Sequence, residues 1–311
     1  MDFALTSEQQ ELRDVARRAL SDRFPPAAVA AAAATGTLPD AWRLVEELGW
    51  FDTGFVDRAV LAEECGYVLL PTPWWSALAL AEAPAGPVAP AWGAVTVQAG
   101  ADGLRLTGTA ADVPDAPAAS SILFCDGTRT FEVAAADCRL TPVDGVDPLR
   151  AAADVTCTGA RATERAAVPV PRVETLLAAE AVGVARRAYD IAVDHAKTRE
   201  QFGRPIGAYQ GISFPLADCL VLIETARSLA YRAAWLVAHG TRDEADLAVA
   251  MALPAAREAA VTACEQAIQT LGGLGMTWEH PLHHWYRRAL WLQGYGVADE
   301  EYFDQVAAAL L

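Results

Sequence analysis

The sequence predicts an α+β protein in which helical, β and helical segments follow one another. Helical charge and apolar periodicity fills both ends of the chain. Between about Trp92 and Val170 the text changes to short runs rich in Val, Thr and Ile, separated by Gly, Asp and Pro. After Pro171 the helical period of three and four residues returns and holds to the end. The expected division is a helical part over 1–85, a small antiparallel β domain over 86–171 and a long-helix bundle over 172–311.

At the start, "TSEQQELRDVARRALSDRF" offers Thr6 or Ser7 as an N-cap. "PDAWRLVEELGW" begins a second helix with Asp40 as N-cap and ends it at Gly49. "FVDRAVLAEECGYVLLP" is a third, stopped by Gly66 and Pro71, and "APAGPVAP" is a linker. The strands are "AVTVQA", "LRLTG", "SILFC", "TRTFEV" and "DVTCTG". In the bundle, Val184, Ala188, Ile191 and His195 share a face. Leu216, Leu220, Ile223, Ala226, Ala230, Ala233 and Val237 mark a longer helix, and a third runs from about Asp246 to Leu271 with a kink expected at Pro254.

With 311 residues, 53% hydrophobic and 21% charged, the chain has material for a sizeable core and is not disordered. Its net charge of -16 excludes the basic footprint that nucleic acid requires. The start "MDFALTSEQQELRD" shows no signal-peptide pattern, and no uninterrupted apolar run has the length of a membrane span, so the expected location is cytoplasmic. The six cysteines are scattered without a CxxC and read as buried thiols.

Two stretches carry chemistry. In "KTREQFGRPIGAYQG", Arg199, Gln201, Phe202 and Gly203 form a tight connection, and Gln210 opens the next helix. An arginine near a helix start suits a phosphate or carboxylate. In "QTLGGLGMTWEHP", Gln269 precedes Gly272-Gly273-Leu274-Gly275, where a backbone can approach a ligand closely. Taken singly, the glycines also suit a helix end, and Arg199 a surface ion pair.

Together they resemble the acyl-CoA dehydrogenase family. Its "R-x-x-F-G-x-x-I…Q" segment matches Arg199 to Gln210, "Q-x-x-G-G-x-G-x-x-x-x-x-P" matches Gln269 to Pro281, and "F-x-L-T-x-E-Q" matches Phe3 to Gln9. "DGLRLTG", from Asp102, fits the family's β domain. The resemblance implies the family's α–β–α fold, with a shortened N-terminal domain, and FAD as cofactor. It implies that Arg199, Gln201, Phe202, Gln210, Gln269, Gly272 and Gly273 bind the ADP half of FAD across a subunit boundary.

The departures are as informative. The family's base is the Glu of "Y-E-G-T"; here the positions hold Tyr295, Gly296, Val297 and Ala298. An alternative base position falls on Val173, beside Glu174, and Glu180 is a second weak candidate whose other reading is a carboxylate paired across an interface. The flavin-ring segments "T-E-P-x-A-G-S-D" and "W-I-T" have no counterpart, and the usual Arg-Asp pair is Arg287-Arg288. Such sorted losses resemble the short subunits of α2β2 acyl-CoA dehydrogenases from steroid-degrading bacteria. They imply a non-catalytic subunit with a catalytic partner, an acyl-CoA substrate and an electron-transfer flavoprotein or similar acceptor. Two alternatives stay open: a self-sufficient homomeric dehydrogenase with Glu174 or Glu180 as base, and a flavin-free scaffold or binding homodimer. His280, His283 and His284 read as interface or surface histidines rather than a metal site. Trp74, Trp75, Trp278, Trp285 and Trp291 read as ordinary packing, and "ADEE" as a solvated helix start.

Overall fold

The computed structural model describes residues 5–33, 39–80, 82–100 and 103–311. Phe3 and Asp102, which belong to motifs quoted above, lie outside the described residues. In chain order the elements are α1 (Ser7–Arg23), α2 (Pro26–Ala32), α3 (Pro39–Glu47), α4 (Phe55–Val68), α5 (Trp74–Ala79), β1 (Val88–Trp92), β2 (Ala94–Gly100), β3 (Gly103–Pro114), β4 (Ser121–Cys125), β5 (Thr130–Ala134), β6 (Cys138–Val143) and β7 (Ala152–Arg165). Then come α6 (Val170–Thr198), β8 (Glu200–Gln201), β9 (Arg204–Pro205), α7 (Gln210–His239), α8 (Arg242–Leu271), α9 (Leu282–Gly294) and α10 (Asp299–Leu310).

The chain forms two compact units. One takes in residues up to Ala30, Gly54–Leu70 and Glu174–Leu311; the other takes in Ala31–Thr53 and Pro71–Val173.

In the helical unit, Thr6 caps α1 in a capping box with Gln9. The long helices α6, α7 and α8 bury alanine-rich faces, which lets their backbones approach. Gly66 does not stop a helix, as the sequence suggests. It lies inside α4, where a Cβ would stand 2.1 Å from the carbonyl oxygen of Glu180, and a Cβ on Gly183 of α6 would stand 1.9 Å from that of Glu63. The two glycines are reciprocal notches at a close helix crossing. The helix ends instead at Leu69, in the left-handed region (φ 57°). α4 also carries buried carboxylates. Glu63 accepts from Arg227 and from the Tyr231 hydroxyl (2.8 Å), and Glu64 accepts both arms of Arg17 (2.6 and 2.9 Å).

Pro254 sits within a continuous α8. Among the described residues one helical stretch, Arg242–Met276, is long and apolar enough to cross a membrane, and 67% of its apolar window is buried inside the fold.

The second unit corrects the expected antiparallel domain. Its sheet has the order β1-β4-β5-β7-β3-β2, with β6 also on β7, and the β1–β4 pair is parallel, so the sheet is mixed. The "APAGPVAP" stretch is not all linker, because β1 begins within it at Val88. Asp40 lies in the first turn of α3 and not at its N-cap, because the helix starts at Pro39, whose fixed φ suits that place. Apolar side chains of β1, β3, β4, β5 and β7 make one core, with Leu106, Ile122, Phe124, Phe131 and Val155 inside it. Two cysteines are not thiols. Cys138 and Cys157 are direct partners in the β6–β7 register, with Cα atoms 4.6 Å apart, and form a disulfide. Their separation of 19 residues conceals a pairing that only the strand register creates. Cys65, Cys125, Cys219 and Cys264 are buried thiols.

Candidate functional site

α6 runs out at Thr198 and the chain turns back through a two-residue hairpin between β8 and β9. Its turn residues, Phe202 (φ 52°) and Gly203 (φ 80°), both lie in the left-handed region, as a primed hairpin turn requires. Phenylalanine there is strained by about 1–3 kcal/mol. Its ring is 93% exposed and touches Tyr209 edge-on, at 6.4 Å between centroids. The hairpin is clamped from below: the Tyr209 hydroxyl donates to the Gln201 carbonyl (3.1 Å), and the Arg204 guanidinium lies 4.0 Å over the Tyr209 ring. Arg199 has a fixed backbone, its N–H donating to His195 and its carbonyl accepting from Ile206. Its side chain is exposed and has no salt bridge to any described residue. Gln210 is exposed at the first position of α7.

The second motif is built on the end of α8. Gln269 is exposed on the last turn. Gly272 caps the helix at φ 61° and ψ -132°, a conformation closed to side chains, and a short 3-10 turn follows over Gly272–Met276. The three glycines differ. A Cβ on Gly275 would strike the Ile268 carbonyl at 2.7 Å, so that glycine serves packing. Around Gly272 and Gly273 nothing lies within 4 Å of a Cβ, so the backbone there faces open space. Burial and then Arg199 lower the pKa of His195; burial, then His195 and Arg187, lower that of His280, four residues past Met276. An unpaired guanidinium, exposed amides and an open glycine backbone fit the ADP part of FAD, whose pyrophosphate needs cations and N–H donors.

The carboxylate positions are spoken for. Gly296 has φ 85°, and a Cβ there would stand 3.7 Å from Arg257 Nη2. Buried Arg257, on α8, donates to the carbonyls of Tyr295 and Val297 and to Asp299 (2.6 Å). It therefore pins the turn between α9 and α10; "ADEE" does open a helix with Glu300 and Glu301 exposed, and Asp299 is in addition an ion-pair partner of Arg257. Glu174 is half-buried and accepts from the Tyr302 hydroxyl (2.5 Å). Burial raises its pKa, opposed by Tyr302 and Arg257. Glu180 is fully buried against Arg288 (2.5 Å). The expected pairing across an interface is thus an ion pair within the chain, and Arg288, where the family's aspartate would stand, supplies the cation.

Arg257, which holds the turn at Gly296, is the residue of the candidate site that sequence reasoning missed. Its signal is a charged residue on the buried alanine stripe of α8, among Ala256, Ala259 and Ala260. Trp74, Trp75 and Trp285 are core residues as expected, whereas Trp278 is 74% exposed, with His283 against its edge and Arg287 over its ring. His284 is buried, contrary to the surface reading.

Residues 172–311, a span that includes both motifs, match the family described as "Acyl-CoA dehydrogenase, C-terminal domain". Over 313 aligned positions the chain is 32% identical to the acyl-CoA dehydrogenase IpdE2 of Mycobacterium tuberculosis, covering 91% of each. The chain belongs to the acyl-CoA dehydrogenase family. Membership places it among flavoprotein oxidoreductases of lipid or steroid catabolism in general. Among solved acyl-CoA dehydrogenase folds, a chain of the ChsE4-ChsE5 complex from Mycobacterium tuberculosis superposes with a TM-score of 0.85 at 23% identity, covering 100% of this chain and 99% of that one. The Tcur3481-Tcur3483 steroid ACAD gives 0.79 at 26% identity, with 97% of each covered.

Proposed function

We propose that the chain is the nucleotide-holding subunit of a two-chain, flavin-dependent acyl-CoA dehydrogenase, with catalysis supplied by a partner in an α2β2 assembly. One contrast carries this reading. Arg199, Gln201, Phe202, Gln210 and Gln269 are all exposed, and Arg199 has no ion-pair partner among the described residues. Each carboxylate candidate is absent or bound up: Gly296 faces Arg257, Glu180 holds Arg288, and Glu174 holds the Tyr302 hydroxyl. Bound FAD would supply the hydride acceptor. Arg199 would hold the pyrophosphate by charge-assisted hydrogen bonds, Gln210 and Gln269 the polar edges of the ADP part, and the Gly272–Gly273 backbone would line its path. Gln201 and Phe202 would set the hairpin against it.

The unlike partner is supported by the ChsE4-ChsE5 and Tcur3481-Tcur3483 structures, whose names each join two proteins. The second is a steroid ACAD, which supports a steroid-derived or similarly bulky acyl-CoA as substrate of the complex. An electron-transfer flavoprotein or similar acceptor is the redox partner we propose for it.

Glu174 supports a second reading. A half-buried carboxylate with a raised pKa, near enough to feel the charge of Arg257, has the character of a general base. One measurement separates the two. The chain purified alone and the chain co-expressed with a flavin-competent partner are compared for bound flavin and for acyl-CoA oxidation. A colourless, inactive lone chain and a yellow, active complex are expected. A yellow, active lone chain would sink the two-chain reading and select Glu174.

A further inference from the structure

Where the ends of α1 and α4 meet α6 and α9, the helical unit holds a cavity of about 140 Å³. Phe24, Pro25 and Pro26, at the corner between α1 and α2, and Val68 of α4 give it apolar walls. The rings of Tyr67 and Trp285 complete them. The Trp285 indole is fixed by donating to the Tyr67 carbonyl (3.0 Å). Ser21 and Pro25 are exposed, so the cavity opens to solvent on their side. Next to Ser21 in the chain, exposed Asp22 and Arg23 carry opposite charges, so this end of α1 adds no net charge.

One charged side chain lines the space, Arg187 of α6. Its guanidinium packs 5.2 Å from the centre of the Tyr67 ring and 5.7 Å from that of Trp285. It donates to the Tyr67 hydroxyl (3.2 Å), and no carboxylate among the described residues stands within ion-pair distance of it. The neighbouring acids are engaged elsewhere. Arg17, 3.9 Å over the same tyrosine ring, holds Glu64. Asp190 accepts from Arg186 (2.9 Å) and from the Tyr67 hydroxyl (3.1 Å). Arg187 is thus a half-buried cation whose remaining N–H groups have no acceptor among the described residues.

We propose that this cavity binds a small apolar monocarboxylate, its carboxylate on Arg187 and its body against Trp285 and the α1–α2 corner. Size sets the body. An apolar cavity of about 150 Å³ accepts one benzene ring. The 140 Å³ here therefore admits one small ring or a chain of about four carbons. The arginine sets the head group, because its planar fork matches a carboxylate through two parallel hydrogen bonds. Phosphate fits less well. It needs several donors, and apolar walls would leave part of its charge desolvated without a partner. The chain's charge of -16 does not forbid an anion here, because exposed charges beyond about 8 Å are screened at physiological ionic strength. The cavity shares no residue with the nucleotide motifs, and the proposal does not depend on the two-chain reading.

The full chain is titrated by calorimetry with benzoate, butanoate, benzyl alcohol and inorganic phosphate. Benzoate and butanoate are each expected to bind once per chain, with affinities in about the millimolar range or tighter for ligands this small. Benzyl alcohol keeps the ring without the charge, and phosphate keeps charge without the apolar body. Both are expected to bind at least about tenfold more weakly than benzoate. Arg187→Gln should weaken benzoate by about ten- to a hundredfold, and Arg187→Lys, which keeps the charge but not the fork, should fall between. Circular dichroism and melting without ligand check that the variants fold, and the comparison of ligands on the wild type needs no variant. No binding of either carboxylate at tens of millimolar overturns the proposal. So does phosphate or benzyl alcohol binding as tightly as benzoate, or a folded Arg187→Gln chain that binds benzoate as the wild type does.

Discussion

Arg199 is a cation whose backbone is fixed on both sides while its exposed side chain has no acid paired to it among the described residues. If it meets a pyrophosphate, Arg199→Ala removes a charge-assisted hydrogen bond worth about 1.5–3 kcal/mol, roughly ten- to a hundredfold in affinity. Flavin content of the complex, measured after gel filtration and by equilibrium dialysis, should fall accordingly. Unchanged retention would mean that the motif binds something else. Gly296 is the opposite kind of residue, defined by what stands next to it. Gly296→Glu restores a carboxylate where relatives keep their base, and an effective general base contributes about a hundred- to ten-thousandfold. No gain in turnover is expected, in the lone chain or in the complex. At φ 85° the new side chain is strained, and it emerges beside Arg257, which would take the carboxylate as an ion-pair partner. Acyl-CoA oxidation by the lone variant would show that a complete active site exists in this chain.

The crossing of α4 and α6 is the place where element packing is least forgiving. Gly183→Ala puts a methyl 1.9 Å from the Glu63 carbonyl and 2.8 Å from the Tyr67 nitrogen, both backbone atoms that cannot swing away. Separating the helices should cost about 2–3 kcal/mol and lower the melting temperature by roughly 5–10 °C. Gly273→Ala, in open space, should move it by no more than about 1–2 °C, and equal losses at the two sites would contradict the crossing geometry. The same α4 holds a titrating group. Burial pushes Glu64 up to about 7, although Arg17 pulls it down. An acid whose folded pKa lies above its unfolded value of about 4.3 binds an extra proton when folded, so its contribution is complete below about 4.3 and is lost as pH rises to about 7. The melting temperature of wild type relative to Glu64→Gln should therefore fall between pH 5 and pH 8. A pH-independent difference would show that Arg17 keeps Glu64 ionised throughout.

For the whole molecule, the exposed nucleotide motif and the acidic charge of -16 bear on how the chain behaves alone. A ligand stabilises a protein only in proportion to its binding, by about 2.7 kcal/mol at a hundredfold excess over Kd. Added FAD is thus expected to raise the melting temperature of the co-expressed complex by several degrees and to leave that of the lone chain unchanged, read by thermal shift with flavin fluorescence. A shift in the lone chain of the same size would place the whole nucleotide site within it.

The sequence by itself determined the helical, β, helical order, the two glycine- and arginine-bearing motifs that resemble the family's, and the glycine at 296 where the family's glutamate would stand. These are local properties: periodicity sets the elements, and glycine and arginine at fixed spacing define a turn and a cation wherever the chain goes. Tertiary structure decided the rest, because it depends on residues far apart in the chain. Gly66 reads as a helix stop until α6 is seen crossing it, since only a second backbone within reach of its missing Cβ gives that glycine its purpose. Cys138 and Cys157 read as thiols until the β6–β7 register sets them opposite each other. Glu174 and Glu180 are alike in sequence, two carboxylates on one helix. One is bound to Arg288 from α9 and the other to Tyr302 from α10, and only the packing of those helices assigns a buried acid its proton or its counter-ion.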